Sequence, residues 1–488
     1  MKSVIQRCLA LALMLCALPA ASSDAERVMT ETMQSSPLEE NLRRLTDEIG
    51  GRVPGTPAME QAVRWGVEAL RAAGADSVTT EPFQMPISWQ EGATRVEVMA
   101  PTRFRARAVS LAWAPPIAVA KRARVVDVGS GRKEEFAKAG DIRGAVVLVH
   151  SETMKTWDDL FAEYMRAPGI IREALAGRAA AIAFISTRER DLLYRHTNAM
   201  DGKLDKIPMV LLAREDGERI ARLLASGQRV EVELYVPNRV GPPVPAANVV
   251  AEIRGSELPD EYVILGAHLD SWELGTGALD NGCNAALVVD TLRAIQASGI
   301  KPRRSIRFVL FSGEEEGMIG SRAYVQRHRA EMEKTVAVVI FDEGTGRVSG
   351  FSLGGRKDVA GALAQLIAPL GPWGANTLTT DAFVGTDNLD FLLEGVPTLV
   401  ANQEAGNYLE NYHASSDTFD KVDLAQLKKH VAIAAQVTLG LANAPARLGP
   451  RQSRGEIESL MKETTLDQQM QTLGLWDEWQ SGKRGRAH

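Results

Sequence analysis

The residues able to do chemistry sit in five separated places. Gly266-Ala-His268-Leu-Asp270 is followed by Asp280, then by Phe311-Ser-Gly-Glu314-Glu315-Glu316-Gly317, then by Asp342. His413 comes last, in Asn411-Tyr-His413-Ala-Ser-Ser-Asp417-Thr. Imidazoles and spaced carboxylates are the donors that a borderline cation such as zinc takes up. Counting donors divides the set. One ion takes His268 and Asp342, the other takes Glu315 and His413, and Asp280 bridges them, because a carboxylate can span ions roughly 3.5–4 Å apart. Three protein ligands per ion leave room for a water. Glu314, beside a ligand without being one, is the expected general base for that water. Asp270 is placed to accept the second ring N–H of His268 and fix its tautomer.

Each residue alone has a bland reading: a surface turn, a helix cap, a satisfied loop histidine. Jointly, at the ends of successive apolar runs, they read as a hydrolytic metal site. Glu316 reads as a solvated face or a helix start, and Cys283 as a packing residue. His150 and His196 read as surface or packing histidines, and His328 and His430 as exposed.

Elements that could position this set are legible in the hydrophobic pattern. In the second half, strands at Tyr262 to Ala267, Ile306 to Phe311, Val336 to Phe341 and Val396 to Ala401 alternate with helices at Asn284 to Ala297 and Gly320 to His328. That alternation predicts an α/β fold, a mostly parallel central sheet flanked by helices. Ligands bind such a sheet at the carboxyl ends of its strands, where His268, Glu314, Glu315 and Asp342 fall. Upstream, Leu38, Leu42, Leu45 and Ile49 and then Met59, Val63, Val67 and Leu70 recur at helical spacing, and Val78 to Met85 and Arg95 to Met99 read as strands. Residues 101–240 read as a separate α/β or mixed-β unit without a ligand cluster, closed by a stiff linker at Gly241-Pro-Pro-Val-Pro245. The expected division is 1–22 signal peptide, 23–100 catalytic, 101–240 insert, 241–448 catalytic with the metal site, and 449–488 a helical tail.

Lys2 and Arg7, the apolar run Cys8 to Leu18 and the small residues after Pro19 make the signal peptide, which implies a secreted or periplasmic protein. No later run is long and apolar enough to span a membrane. The chain has 488 residues and a formal charge of −6, which becomes −8 without Lys2 and Arg7. An acidic chain with no basic stripe is a poor nucleic-acid binder. Two of the 3 cysteines leave with the signal, so Cys283 has no intramolecular disulfide partner and stability rests on burial.

At these residues the chain resembles the co-catalytic di-zinc exopeptidases, the family of bacterial leucyl aminopeptidases, whose order of His-x-Asp, Asp, Glu-Glu, acid and His it matches. The likeness is closer to the plasma glutamate carboxypeptidase (carboxypeptidase Q) branch. It includes His268-Leu-Asp-Ser-Trp-Glu-Leu-Gly-Thr-Gly277, Gly385-Thr-Asp387, Gly395-Val-Pro397, Ser416-Asp417-Thr-Phe-Asp-Lys-Val-Asp423 and Arg52-Val-Pro54-Gly55-Thr. This resemblance implies a zinc exopeptidase fold with a protease-associated-like insert, two zinc ions, short peptide or dipeptide substrates and a homodimer. Asn281 and Cys283 depart from the pattern, where an acidic and a small residue are usual.

The expected function is therefore an exported di-zinc metallopeptidase, an exopeptidase or dipeptidase using metal-activated water and Glu314. The alternatives are a catalytically silent, receptor-like binding ectodomain and a single-zinc, glutaminyl cyclase-like acyl transferase. Which end of the peptide is held is open at this level. Asn407, Tyr408, Glu410, Arg347 and Arg356 are the candidates for a rim role.

Overall fold

The computed structural model describes residues 23–487. The signal peptide expected over 1–22 lies outside the described residues. The fold is mixed α/β and holds two eight-stranded sheets.

The first sheet runs Ser77–Met85, Val244–Ile253, Arg304–Phe311, Leu258–His268, Thr335–Ile340, Thr398–Gln403, Val348–Ser352, Thr377–Thr379. Its centre is parallel, from Arg304–Phe311 across to Thr398–Gln403, while both flanks include antiparallel pairs. The central strands are buried throughout, which is why they read as unbroken apolar runs. Alternate side chains serve opposite faces. Val263, Leu265, Phe308, Leu310, Ala337 and Val339 pack towards the helices Pro57–Ala72, Cys283–Ala297 and Leu424–Asn443. Ile264, Val309, Val338 and Ile340 pack with Tyr324, Val325 and Phe391 from the helices Ile319–Arg327 and Leu389–Leu393. Leu424–Asn443 is buried nearly all round, so His430 is fully buried rather than exposed. His328 is not exposed either: it lies between Glu81 (2.8 Å) and Glu331 (3.0 Å), with its ring over Tyr324.

The second sheet runs Phe104–Ala106, Arg95–Ala100, Glu231–Val236, Ile117–Asp127, Val146–Val149, Ala181–Ile185, Met209–Leu212, Ala108–Ser110, with its own apolar core. It takes in the strand Arg95–Ala100, so the unit begins before residue 101. The chain enters and leaves through a two-stranded ribbon, Ser88–Gln90 against Arg239–Gly241. The expected stiff linker at 241–245 is instead mostly strand. Pro245 is tolerated because its strand pairs with Ser77–Met85 alone there, Arg304–Phe311 joining only from Val249. Trp89 and Trp113 stack beside this ribbon at 5.6 Å, and Trp272 meets Trp113 edge-on at 6.2 Å.

The tail is helical and docked on the body. Arg454–Glu463, Leu466–Thr472 and Trp476–Gln480 bury Ile457, Met461, Leu466, Met470 and Trp479 against Met318, Ala382, Val384 and Leu389. Arg484 closes it with a buried bidentate pair to Asp390, at 2.8 and 2.7 Å. Among the described residues, no helix is long and apolar enough to cross a membrane.

Candidate metal centre

His268 is the last residue of Leu258–His268. Glu314 and Glu315 lie in the turn after Arg304–Phe311, and Asp342 lies just past Thr335–Ile340. These parallel neighbours end on one edge of the sheet, so three stretches of sequence converge by topology alone. Asp280 comes from the irregular segment before helix Cys283–Ala297, and His413 from the loop after Tyr408–Asn411.

The five expected ligands meet. His268 Nε2 is 2.9 Å from Asp342 Oδ1 and 3.1 Å from Asp280 Oδ1. His413 Nε2 is 2.8 Å from Glu315 Oε2 and 3.2 Å from Asp280 Oδ2. The two oxygens of Asp280 thus face the two histidines, each of which has one further carboxylate. All five are nearly buried. His268 Nε2 and Asp342 Oδ1, although 2.9 Å apart, are not aligned as a hydrogen bond, and Glu315 Oε1 has no partner. Buried polar atoms left without partners carry a desolvation penalty, and a cation between them removes it. The donor set therefore fits a metal ion, and its imidazole and carboxylate composition suits zinc.

Electrostatics point the same way. Burial, then the neighbouring carboxylates, push Glu315 and Asp342 above the ordinary carboxylate range, and Glu314 likewise, against the pull of His268. Burial works to lower His268, but Asp342, Asp270 and Asp280 outweigh it and hold the imidazolium. Burial pushes His413 down.

The surroundings differ from expectation in three places. The ring of His268 is held through Nδ1 by the main-chain carbonyl of Asp270, at 3.0 Å; the Asp270 carboxylate, with Oδ1 at 3.7 Å, is too far. That carboxylate instead accepts the N–H of Glu315 at 3.1 Å, so Asp270 orients two ligands at once. Glu316 is not solvated. It is buried without hydrogen-bond partners, and burial drives its pKa well up. Of the rim candidates only Tyr408 lines the cavity at the site, with its hydroxyl donating to the Asp342 carbonyl at 3.2 Å. Arg356 is buried against Asp358, Arg347 pairs with Glu404, Asn407 donates to the Lys421 carbonyl, and Glu410 faces Arg190. The departures from the family pattern fit locally. Asn281 donates its amide to the Phe341 carbonyl at 3.1 Å, which an acid could not do while ionised, and Cys283 is packed with its thiol on the Leu279 carbonyl.

Other residues hold the site without having been assigned a role from sequence. Asp417 accepts the main-chain N–H groups of Ala278, Leu279 and Asp280 at 3.0, 2.6 and 3.1 Å, fixing the backbone of the bridging residue. The buried guanidinium of Arg52 donates to the carbonyls of Gly50, Leu269, Thr276 and Gly277. Arg52 and Asp417 stand inside the quoted motifs, but nothing in their spacing says what they touch. The second unit grips His413. The Arg195 N–H donates to the His413 carbonyl, the Ser415 N–H to the Leu193 carbonyl, and the Arg188 guanidinium to the Tyr412 carbonyl, at 3.0, 3.0 and 3.1 Å. Tyr164, on helix Trp157–Ala176 of that unit, shares a hydroxyl hydrogen bond of 2.9 Å with Tyr412, whose ring stacks on His413 at 3.6 Å.

The ligands open into a cavity of about 690 Å³. Its walls come from three parts of the chain: the helix bearing Phe161 and Tyr164, the loop from Asp381 to Thr386, and Thr464, Gln469 and Leu473 of the tail.

A buried donor set on the carboxyl edge of a sheet, opening into a chamber, is the arrangement a metal-dependent hydrolase requires. Residues 248–438 match the profile of peptidase family M28. Bovine carboxypeptidase Q is 27% identical over 409 residues, covering 83% of this chain and 85% of that protein. A probable lipoprotein aminopeptidase, LpqL of Mycobacterium tuberculosis, is 27% identical over 468 residues, covering 84% and 85%. The crystal structure of a peptidase M28 precursor from Shewanella amazonensis superimposes with a TM-score of 0.79 at 26% identity, covering 88% of this chain and 98% of the other. Over residues 248–438 the chain thus resembles peptidase family M28, and over most of its length it resembles these exopeptidases.

Proposed function

We propose that this protein is an exported di-zinc exopeptidase that removes a residue from the free amino end of short peptides, with Glu314 as general base. The observation that carries it is the division of donors: His268 with Asp342, His413 with Glu315, and Asp280 facing both. That arrangement favours a peptidase over a single-zinc acyl transferase. Two zinc ions held there would lower the pKa of water and polarise a scissile carbonyl.

The chain's own groups supply the rest. Glu314, half-buried beside the ligands without being one of them, is suited to take a proton from the attacking water and return it to the leaving amine. Asp270 and Asp417 keep the ligands oriented. The second unit we read as the protease-associated-like insert of the catalytic domain, and its contacts to residues 412–415 make it part of the site.

The choice of end rests on charge. A peptide carboxylate calls for Arg, Lys or clustered backbone donors. Among the described residues lining the cavity there is no Arg or Lys, whereas Asp158, Glu343 and Asp381 stand there outside the ligand set. That lining suits an ammonium group.

The test is a panel of free, N-blocked and C-amidated dipeptides, with and without chelator. Free and amidated dipeptides should be cleaved and N-blocked ones spared, with chelator abolishing turnover and zinc restoring it. Cleavage of N-blocked but not amidated dipeptides would assign the carboxyl end instead. Zinc-loaded protein inert on the whole panel would end the peptidase reading. Export is checked by the mature N-terminus, expected near residue 23.

A further inference from the structure

We infer that the C-terminal tail sets which side chains the enzyme accepts, through Gln469, which acts as a positioning residue for the cavity wall. The inference rests on the peptidase reading above.

Gln469 lies on helix Leu466–Thr472 and is almost fully buried. Its amide engages the 381–386 loop at both ends: the side-chain oxygen accepts the Val384 N–H at 3.0 Å, and the amide nitrogen donates to the Ala382 carbonyl at 3.2 Å. The donor–acceptor pair thereby copies one rung of a strand partner, on a loop that has no ladder of its own there. Phe383, between the two clamped residues, faces the cavity, as do Leu473 and Thr464 from the tail. Ala382 and Val384 share an apolar cluster with Leu466, Met470 and Trp479. Loop and tail therefore form one packed wall, and the Arg484–Asp390 pair ties the end of the tail to the helix that follows the loop. None of these residues belongs to the ligand set, so they act on the shape of the chamber rather than on its chemistry. Side chains that reach this apolar wall gain from its position, and short ones do not.

The test compares wild type with Gln469→Met, which keeps length and bulk but loses both hydrogen bonds, and with Gln471→Ala, an exposed position on the same helix. Zinc-loaded proteins are assayed on leucyl-glycine and alanyl-glycine, and amide hydrogen exchange is followed at residues 382–384. In Gln469→Met the leucyl-to-alanyl ratio of kcat/KM should fall about five- to tenfold, through KM for the leucyl substrate, and protection at Val384 should drop, with Gln471→Ala like wild type. Equal losses on both substrates, or an unchanged ratio, would overturn the inference, as would unchanged protection. Wild type that hydrolyses neither dipeptide would sink the peptidase reading, while the exchange measurement would still decide whether Gln469 holds the loop.

Discussion

Glu314 and Asp417 separate two ways in which a carboxylate serves this site. Glu314 stands free of the ligand set, so Glu314→Gln should retain bound zinc, measured by elemental analysis, while kcat falls by about 10²–10⁴. Asp417 touches no ligand side chain but binds three consecutive N–H groups leading to Asp280. Asp417→Asn would turn an amide NH2 on one of those donors. Expected are a loss of about 1–3 kcal/mol in urea unfolding and faster zinc loss to a chelator. A variant that keeps both stability and metal retention would refute the role.

His430 offers a pH test away from the metal. Burial pulls its pKa down from 6.5 to about 4, so the native state disfavours the imidazolium. Its contribution to stability is therefore present above pH 6.5 and is lost as pH falls towards 4. Between pH 7 and 5 the loss from this group is about 2 kcal/mol. The stability difference between wild type and His430→Gln should shrink by that amount on acidification; a difference independent of pH would contradict it.

At the scale of elements, the loop carrying His413 is held from outside its own sheet. His413 takes a left-handed backbone conformation, φ 58°, uncommon for a residue with a side chain. Its neighbours are fastened by Leu193, Arg195 and Arg188. Replacing Tyr164 with Phe removes the hydroxyl contact to Tyr412, which stacks on that imidazole. Tyr164→Phe should weaken zinc retention and kcat together by a fewfold, with Tm nearly unchanged; loss of Tm without loss of zinc retention would show that the contact only supports folding.

The same scale explains what could be read in advance. Strand ends were legible because buried parallel strands leave unbroken apolar runs, and the ligands follow those runs. That His268, Asp280, Glu315, Asp342 and His413 come together was legible because all but Asp280 and His413 follow such runs and all are metal-donor types. The part played by the Asp270 main chain was not legible, because carbonyl and carboxylate of one residue are indistinguishable in sequence. The burial of Glu316 and His430 was hidden for a related reason: both stand in charged surroundings along the chain, and only the packing of distant segments takes them out of water. The membership of Arg95–Ala100 in the second sheet was likewise set by its partners, since Phe104–Ala106 and Glu231–Val236 decide where it pairs.

On the scale of the whole molecule, helix Trp157–Ala176 of the second unit, the 381–386 loop and the tail each contribute one wall of a single chamber. Cys283 is fully buried, and burial pushes its thiol well up, so the native protein should be inert to thiol reagents and react stoichiometrically only in denaturant.

The capacity of that chamber carries a wider corollary. A chamber of about 690 Å³ is sized for a terminus with a residue or two rather than for a folded domain. Globular neighbours in the same compartment should come through prolonged incubation intact, while the scraps left by other proteases disappear.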